Sequence, residues 1–362
     1  MKSVQSTKRF FNNIMNGDIE MKPIIAVTMG DPSSIGAELS VKAMARKDIY
    51  ENCKPLIVGD FSVMEEAKAI LGMDDIRLNP IQDVKDAVFT HGTIDVYDMK
   101  LIKGSDIQFG EIKALYGDAA FQYVVKAIEL AKTGEVDATV TNAISKESIN
   151  LAGHHFAGHT EIYAHYTETK DYAMMLVHNN LRVVHVSTHV SLREACDRVK
   201  KERVLKCIEL ANEACRMIGI EEPTVAVAGL NPHAGENGMF GHEEIEEIIP
   251  AIEEAKSKNI KVEGPAPPDT VFPKALGGWY DVVVVMYHDQ GHIPLKTVGF
   301  VYDKDLNKWK AVEGVNITLG LPIIRVSVDH GTAFDQAGKG TASEISLVNS
   351  IQYAIEFSRN KK

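Results

Sequence analysis

At 362 residues the chain is long for one compact core, so two domains are expected, and its 45% hydrophobic and 25% charged content is that of an ordinary globular protein. A net charge of −11 argues against nucleic acid as a partner, which needs clustered Lys and Arg, but leaves room for a small anion held by a few local cations. No apolar run approaches the ~20 residues of a membrane span. The four cysteines, Cys53, Cys196, Cys207 and Cys215, lack C-x-x-C spacing, the pattern of a reduced, cytoplasmic protein.

Residues 1–20 are mostly polar around a Phe10–Phe11 pair and lack the long apolar stretch and cleavage site of a secretory leader. They are expected to be a disordered extension. A strand at Ile24–Thr28, a turn at Gly30–Gly36 and a helix from Ala37 to Arg46 follow. Such a turn can cradle an anion or cofactor on free helix N–H groups. It fits neither common phosphate-binding glycine pattern, so a structural tight turn is the equal alternative. A strand at Leu56–Gly59 and a helix at Phe61–Leu71 come next, and residues 75–110 resist assignment. Tyr116–Lys132 is an amphipathic helix feeding a strand at Ala138–Thr141. In Leu151–Glu161 the adjacent His154 and His155 point apart and are set aside. His159 and Thr160 open a helix, where both can donate to an anion, or Thr160 can simply cap it.

The second half is organised around an arrangement that occurs three times: a short apolar strand running into a histidine. Leu181–Thr188 leads to His189, Thr224–Leu230 to His233 and Asp281–Met286 to His288. The last strand is rich in Val without alternation, as in a parallel sheet buried on both faces. Ligands bind beyond the carboxyl ends of such strands, and three imidazoles can hold a divalent metal with one position open. Between them, 191–218 reads as one helix with Cys207, Ala211 and Cys215 on its core face. His242–Lys256 reads as a second, with Ile245, Ile248, Ile249 and Ile252 inward. Gly264–Asp269 reads as a rigid turn placing Asp269, which is then a ligand, an orienter, a base or only a turn residue. Lys296 is near enough to serve an anion or lies on the surface. Residues 301–314 look like an inserted hairpin or flap. Arg325 ends an apolar run shared with Asn316; buried unpaired it would be costly, so it is expected to face a phosphate or carboxylate. Ser327–Thr341 is a glycine-rich loop that lets backbone approach a ligand, and a helix runs from about Ser343 to Ser358.

Eight ordered motifs carry a resemblance. They are the Gly30–Gly36 turn, Gly158-His-Thr-Glu, Ser187-Thr-His, Gly229-Leu-Asn-Pro-His-Ala-Gly-Glu, Pro268-Asp-Thr, Met286-Tyr-His-Asp-Gln-Gly, the run from Val315 to Arg325, and Asp329-His-Gly-Thr-Ala. Together, from about Met21 to the C-terminus, they resemble the 4-hydroxythreonine-4-phosphate dehydrogenase family. The loop from His330 to Gly340 is also similar to the cofactor loop of isocitrate and isopropylmalate dehydrogenases.

The resemblance implies two α/β/α domains with a central cleft, the first discontinuous (21–145 and 315–362) with NAD-binding loops, the second (146–314) with the metal and substrate site. It implies a homodimer with its active site at the interface. His189, His233 and His288 match the family's metal ligands, for Zn, Mg, Mn or Co. His159, Thr160, Lys296, Asn316 and Arg325 match substrate contacts, and Asp269 and Asp289 acidic positions near the metal. Lys296 and Asp269 are the candidate bases. NAD, with NADP as alternative, is expected on Gly30, Asp31, His330, Gly331, Thr332, Ala333, Asp335 and Gly338. The implied reaction oxidises, and decarboxylates, a 4-phosphorylated 3-hydroxy acid. Asp31–Glu38, Ser145 before Lys146 and the long 302–314 segment depart from the vitamin B6 enzymes and resemble a branch acting on 4-phospho-D-threonate or D-erythronate. A metal-dependent hydrolase and a non-catalytic phosphometabolite-binding protein are the competing readings.

Overall fold

A computed structural model describes residues 22–304 and 308–361. The extension expected at 1–20 and the tip of the 301–314 segment lie outside the described residues.

The N-terminal half alternates strand and helix: β1 (Ile24–Thr28), α1 (Gly36–Met44), α2 (Lys47–Asn52), β2 (Lys54–Gly59), α3 (Phe61–Leu71), β3 (Arg77–Ile81), β4 (Thr93–Asp98), α4 (Ala114–Lys132), β5 (Ala138–Thr141), α5 (Lys146–Leu151) and α6 (His159–Tyr166). The stretch 75–110, opaque in sequence, thus supplies two strands. The second half adds β6 (Ala173–His178), β7 (Leu181–His185), α7 (Leu192–Asp197), α8 (Lys201–Met217), β8 (Val225–Ala228), α9 (Ile249–Ser257), β9 (Val262–Ala266), α10 (Pro268–Leu276), β10 (Val282–Val285) and α11 (His288–Gly299). The chain closes with an antiparallel hairpin, β11 (Phe300–Asp303) and β12 (Lys308–Val312), then β13 (Val315–Leu319), β14 (Ile324–Val328) and α12 (Ile345–Asn360).

This is a mixed α/β fold built on one 12-stranded sheet, ordered β3-β4-β2-β1-β5-β14-β13-β6-β7-β10-β8-β9. Both halves of the chain contribute to it without a break. The strands from β3 to β14 are parallel; β13 pairs antiparallel with both β14 and β6, and β6 with β7, so β7, β10, β8 and β9 run opposite to β1. The Val282–Val285 strand is buried on both faces, as its lack of alternation predicts. Val282 and Val284 join the large core that also takes in α8, while Val283 and Val285 pack with Val271, Phe272 and Ala275 of α10 and Leu295 of α11.

Three local expectations are corrected. The helix expected over 191–218 is two helices: Lys200 is extended (φ −124°, ψ 143°), and the break drops the fully buried Val199 into the core. Ile245 and Ile249 do not face inward. A π turn at Glu244–Ile248 changes the residue count per turn, leaving them 46% and 39% exposed while Ile248 and Ile252 are buried. Asp269 sits in the first turn of α10 rather than in a rigid turn.

Candidate active site

The strands that precede the three histidines are β7, β10 and β8. They are neighbours in that order and mutually parallel. Their carboxyl ends therefore share one edge of the sheet, and the loops carrying His189, His288 and His233 leave from it. Gln290 ties two of these ends together: its Oε1 accepts the Met286 N–H at 2.7 Å and its Nε2 donates to the Gly229 carbonyl at 2.7 Å.

The ring centroids of His189 and His288 lie 5.8 Å apart. His288 donates through Nδ1 to Asp289 Oδ1 at 2.7 Å, since a carboxylate oxygen accepts, and this leaves Nε2 as the ring nitrogen that could take a metal. Burial, helped by the charge of Lys146, holds the His189 pKa below its ordinary value and so favours the neutral, ligating form. His233 lies near Phe240, with ring centroids 6.2 Å apart. Among the described residues no three His, Cys, Asp or Glu side chains of one chain converge as a metal site. The donor chemistry fits a divalent metal; a single chain brings together two of the three rings.

His233 belongs to a strained turn. Residues His233–Asn237 all have positive φ, between 42° and 81°. The turn is held by Glu244, 1% exposed, whose Oε1 accepts the N–H groups of Leu230 (2.7 Å) and Asn231 (2.8 Å) while Oε2 accepts from Asn231 Nδ2 (2.8 Å). Behind His288 the His292 ring stacks at 3.6 Å, and His185 lies 4.8 Å beyond it. Burial pushes the pKa of His292 down to about 4 and that of His185 to about 3.

A second cluster is cationic. Arg325 is 2% exposed. It donates from Nη1 to Thr318 Oγ1 and from Nη2 to Thr141 Oγ1, both at 2.9 Å, and Nε has no partner. Its guanidinium lies 5.6 Å from the Tyr163 ring, and burial lowers its pKa to about 10. His159 has a buried Nε2 without a partner; burial first and the Arg325 charge second hold its pKa well below normal. Thr160 Oγ1 is 3.5 Å from Thr318 Oγ1. Thr160 does not cap α6, whose N-cap is Gly158 with no side-chain bond. Asn316 donates from Nδ2 to Met174 Sδ at 3.1 Å and leaves Oδ1 buried without a partner. Orphaned acceptor and donor atoms beside a buried guanidinium are what a polar anionic ligand would satisfy.

Lys296 is half-buried, its ammonium 5.1 Å from the Phe300 ring. Burial raises the Asp329 pKa to about 6 against the opposing charges of Lys296 and His288. Asp269 is exposed on α10 and Asp289 is occupied with His288; the half-buried acid within the field of Lys296, Asp329, is one that no sequence pattern singled out. Asp329 stood in plain view as the first residue of a glycine-rich motif. Thr141, Thr318 and Glu244 carried no comparable signal.

Along the glycine loop, His330 donates from Nδ1 to the Gly331 carbonyl at 2.9 Å and keeps a buried Nε2 without a partner. Gly331 and Asp335 are exposed, Thr332 and Gly338 half-buried, and Ala333 has φ 45°. Ile35 N–H reaches the Thr332 carbonyl at 3.4 Å, joining this loop to the first turn. In that turn Gly30 (φ +81°) allows no side chain, since a Cβ would stand 2.6 Å from the Ala143 carbonyl oxygen. Asp31 is fully buried; Oδ1 accepts from the Ser33 N–H and hydroxyl, both at 2.9 Å, and Oδ2 has no partner.

Residues 51–354 match the model of the family described as "Pyridoxal phosphate biosynthetic protein PdxA". The chain belongs to this family. A D-threonate 4-phosphate dehydrogenase of Cupriavidus necator is 44% identical over 340 residues, covering 94% of this chain and 98% of that protein. Among solved structures, a 4-hydroxythreonine-4-phosphate dehydrogenase from Klebsiella pneumoniae is 42% identical with TM-score 0.81, covering 94% of this chain and 100% of the other. One from Burkholderia phymatum is 43% identical with TM-score 0.79, covering 93% and 98%. The chain is an enzyme of this dehydrogenase class, and no described helix is long and apolar enough to cross a membrane.

Proposed function

We propose that this enzyme oxidises, with decarboxylation, the 3-hydroxyl of a 4-phosphorylated four-carbon acid, using NAD and one divalent metal per site. The substrate we favour is 4-phospho-D-threonate or D-erythronate, with 4-phosphohydroxy-L-threonine as the alternative within the family. The observation that carries the reading is Arg325: a guanidinium buried against two threonine hydroxyls, beside an orphaned His159 Nε2. A phosphate or carboxylate supplies the missing counter-charge and accepts from both.

In this reading Arg325, His159 and Thr160 anchor one anionic end of the substrate, and Lys296 and Asn316 orient the rest. Asp269 keeps its place as a candidate near the metal, while Asp289 fixes the His288 tautomer. Lys296, whose charge acts on Asp329, is the group we assign to take the hydroxyl proton. His189, His233 and His288 would hold the metal, which when bound supplies Lewis-acid polarisation of the hydroxyl. Gly30–Asp31 and His330–Gly338 would hold NAD, which when bound would supply the hydride acceptor. We further propose a homodimer in which the partner's copy of the loops completes the histidine set. Exposed Met239 and Phe240 after His233, and Ile293 and Val298 on α11 beside Lys296, fit that interface. Four cysteines without a disulfide suit the cytoplasm.

The test is NADH formation from each of the three phosphorylated acids, with Zn, Mg, Mn or Co supplied in turn. Turnover on threonate or erythronate phosphate alone supports the favoured branch. Turnover on the amino acid alone moves the enzyme to the biosynthetic branch. No NADH from any of them removes the hydride reading.

A further inference from the structure

Two side chains one helical turn apart on α1 grip the main chain of the glycine loop. Glu38 is 1% exposed; its Oε1 accepts the Gly338 N–H and its Oε2 the Gly340 N–H, both at 2.6 Å. Lys42 donates from Nζ to the Gly340 carbonyl at 2.7 Å and the Ala342 carbonyl at 2.6 Å. The i, i+4 spacing puts acid and base on one face of the helix, so acceptors meet the loop's N–H groups and a donor meets its carbonyls. Gly338 (φ +76°) and Gly340 (φ +66°) are both left-handed, a conformation that glycine adopts without steric cost. A Cβ on Gly338 would stand 2.9 Å from the Phe109 ring, so at this position the loop also packs closely against Phe109.

A buried carboxylate is costly to desolvate, and an apolar residue would fill the same space more cheaply. The partners of Glu38 are main-chain groups of a single loop. Around Gly331 the loop has an open side: Gly331 is exposed, and a Cβ there would meet nothing within 4 Å. We infer that Glu38, seconded by Lys42, is a positioning residue for the dinucleotide: it fixes the His330–Gly340 backbone in the form that presents its open side to the cofactor. The inference rests on the proposed NAD reading of that loop. Glu38→Gln keeps the shape but turns an amide N–H toward one of the two loop N–H groups, donor against donor.

The experiment is calorimetric titration of NAD into the full-length wild-type, Glu38→Gln, Lys42→Met and Lys42→Arg chains, with Tm and the KM for the phosphorylated acid at saturating NAD measured alongside. Loss of a charge-assisted contact predicts NAD binding weaker by about tenfold to a hundredfold in Glu38→Gln and less in Lys42→Met. Lys42→Arg should restore most of the affinity. Tm should fall modestly in Glu38→Gln, as for any lost buried contact, while the acid's KM should stay near wild type. Unchanged NAD affinity in both Glu38→Gln and Lys42→Met overturns the inference, and so does a fold-loss in the acid's KM as large as that in NAD affinity, which marks a merely structural contact. If Glu38→Gln does not fold, the half-buried Lys42 pair decides by the same criteria. A wild-type chain that binds no NAD fails at the cofactor reading itself, and takes this inference with it.

Discussion

Arg325 donates to the Thr318 hydroxyl at 2.9 Å, and among the described residues no carboxylate stands within ion-pair distance of it. Glu161 acts on it only from farther away. A buried cation satisfied by neutral hydroxyls lowers the stability of the empty protein and becomes favourable once an anion arrives.

Arg325→Met should therefore separate binding from stability. Removing the cation should cost about 2–5 kcal/mol of binding to the phosphorylated acid. The same substitution should leave the Tm of the ligand-free protein equal or higher, because an unpaired buried charge is replaced by an apolar chain. Inorganic phosphate should raise the wild-type Tm and leave the variant's unmoved. Thermal shift with and without phosphate, together with KM, checks all three.

Stability should fall as the solution is acidified from pH 6.5 toward 4. Burial depresses His185 to about 3 and His292 to about 4, so over that range the unfolded chain binds protons that the folded one refuses. Each contributes about 1.4 kcal/mol per pH unit once below the ordinary histidine value. Asp329 works in the opposite sense: raised to about 6, it favours the folded state as it protonates, over the window from 6 down to 4. His185→Gln should flatten the acid limb of a plot of unfolding free energy against pH, and a limb of unchanged slope would contradict the assignment.

The Glu244 carboxylate accepts three hydrogen bonds from the turn that carries His233. Glu244→Ala would leave the Leu230 and Asn231 N–H groups without their acceptor, while Asn231 Nδ2 keeps Glu243 Oε2, and a loss of about 1–3 kcal/mol in urea unfolding is expected. The variant should be more sensitive to proteolysis between Pro232 and Phe240 than elsewhere. Cleavage rates spread evenly over the chain would argue against a local role.

If two copies complete the histidine set, inactive variants should complement. His233→Ala and His288→Ala should each abolish turnover alone. After unfolding and joint refolding, half of the dimers are mixed and one of their two sites is intact, so about a quarter of wild-type activity should return. A chelator should remove activity in the wild type and in the complemented mixture alike. No recovery on mixing would place all three ligands in one chain.

Periodicity and punctuation made much of the fold legible. The limits of α3, β1 and β5 follow from local pattern, since an apolar stripe or an unbroken β-branched run bounded by Gly or a turn residue admits few other structures. The strand-to-histidine arrangement is also a local signal, and the adjacency of β7, β10 and β8 gives it spatial meaning. What the pattern missed were short-range departures: the π turn that rotates Ile245 and Ile249 outward, and the break at Lys200 that buries Val199.

By itself the sequence determined which chemical groups this protein owns and roughly where each leaves its strand or helix, because those are properties of neighbouring residues. Only the tertiary structure decided which groups meet. Arg325 and Thr141 are brought together by the pairing of β14 with β5, and Glu38 reaches Gly338 across 300 residues of chain. Burial decided the charge states, making His159 a neutral hydrogen-bonding group and Asp329 a weak acid, since the desolvation that shifts a pKa depends on everything packed around the group and on nothing that its neighbours in sequence reveal.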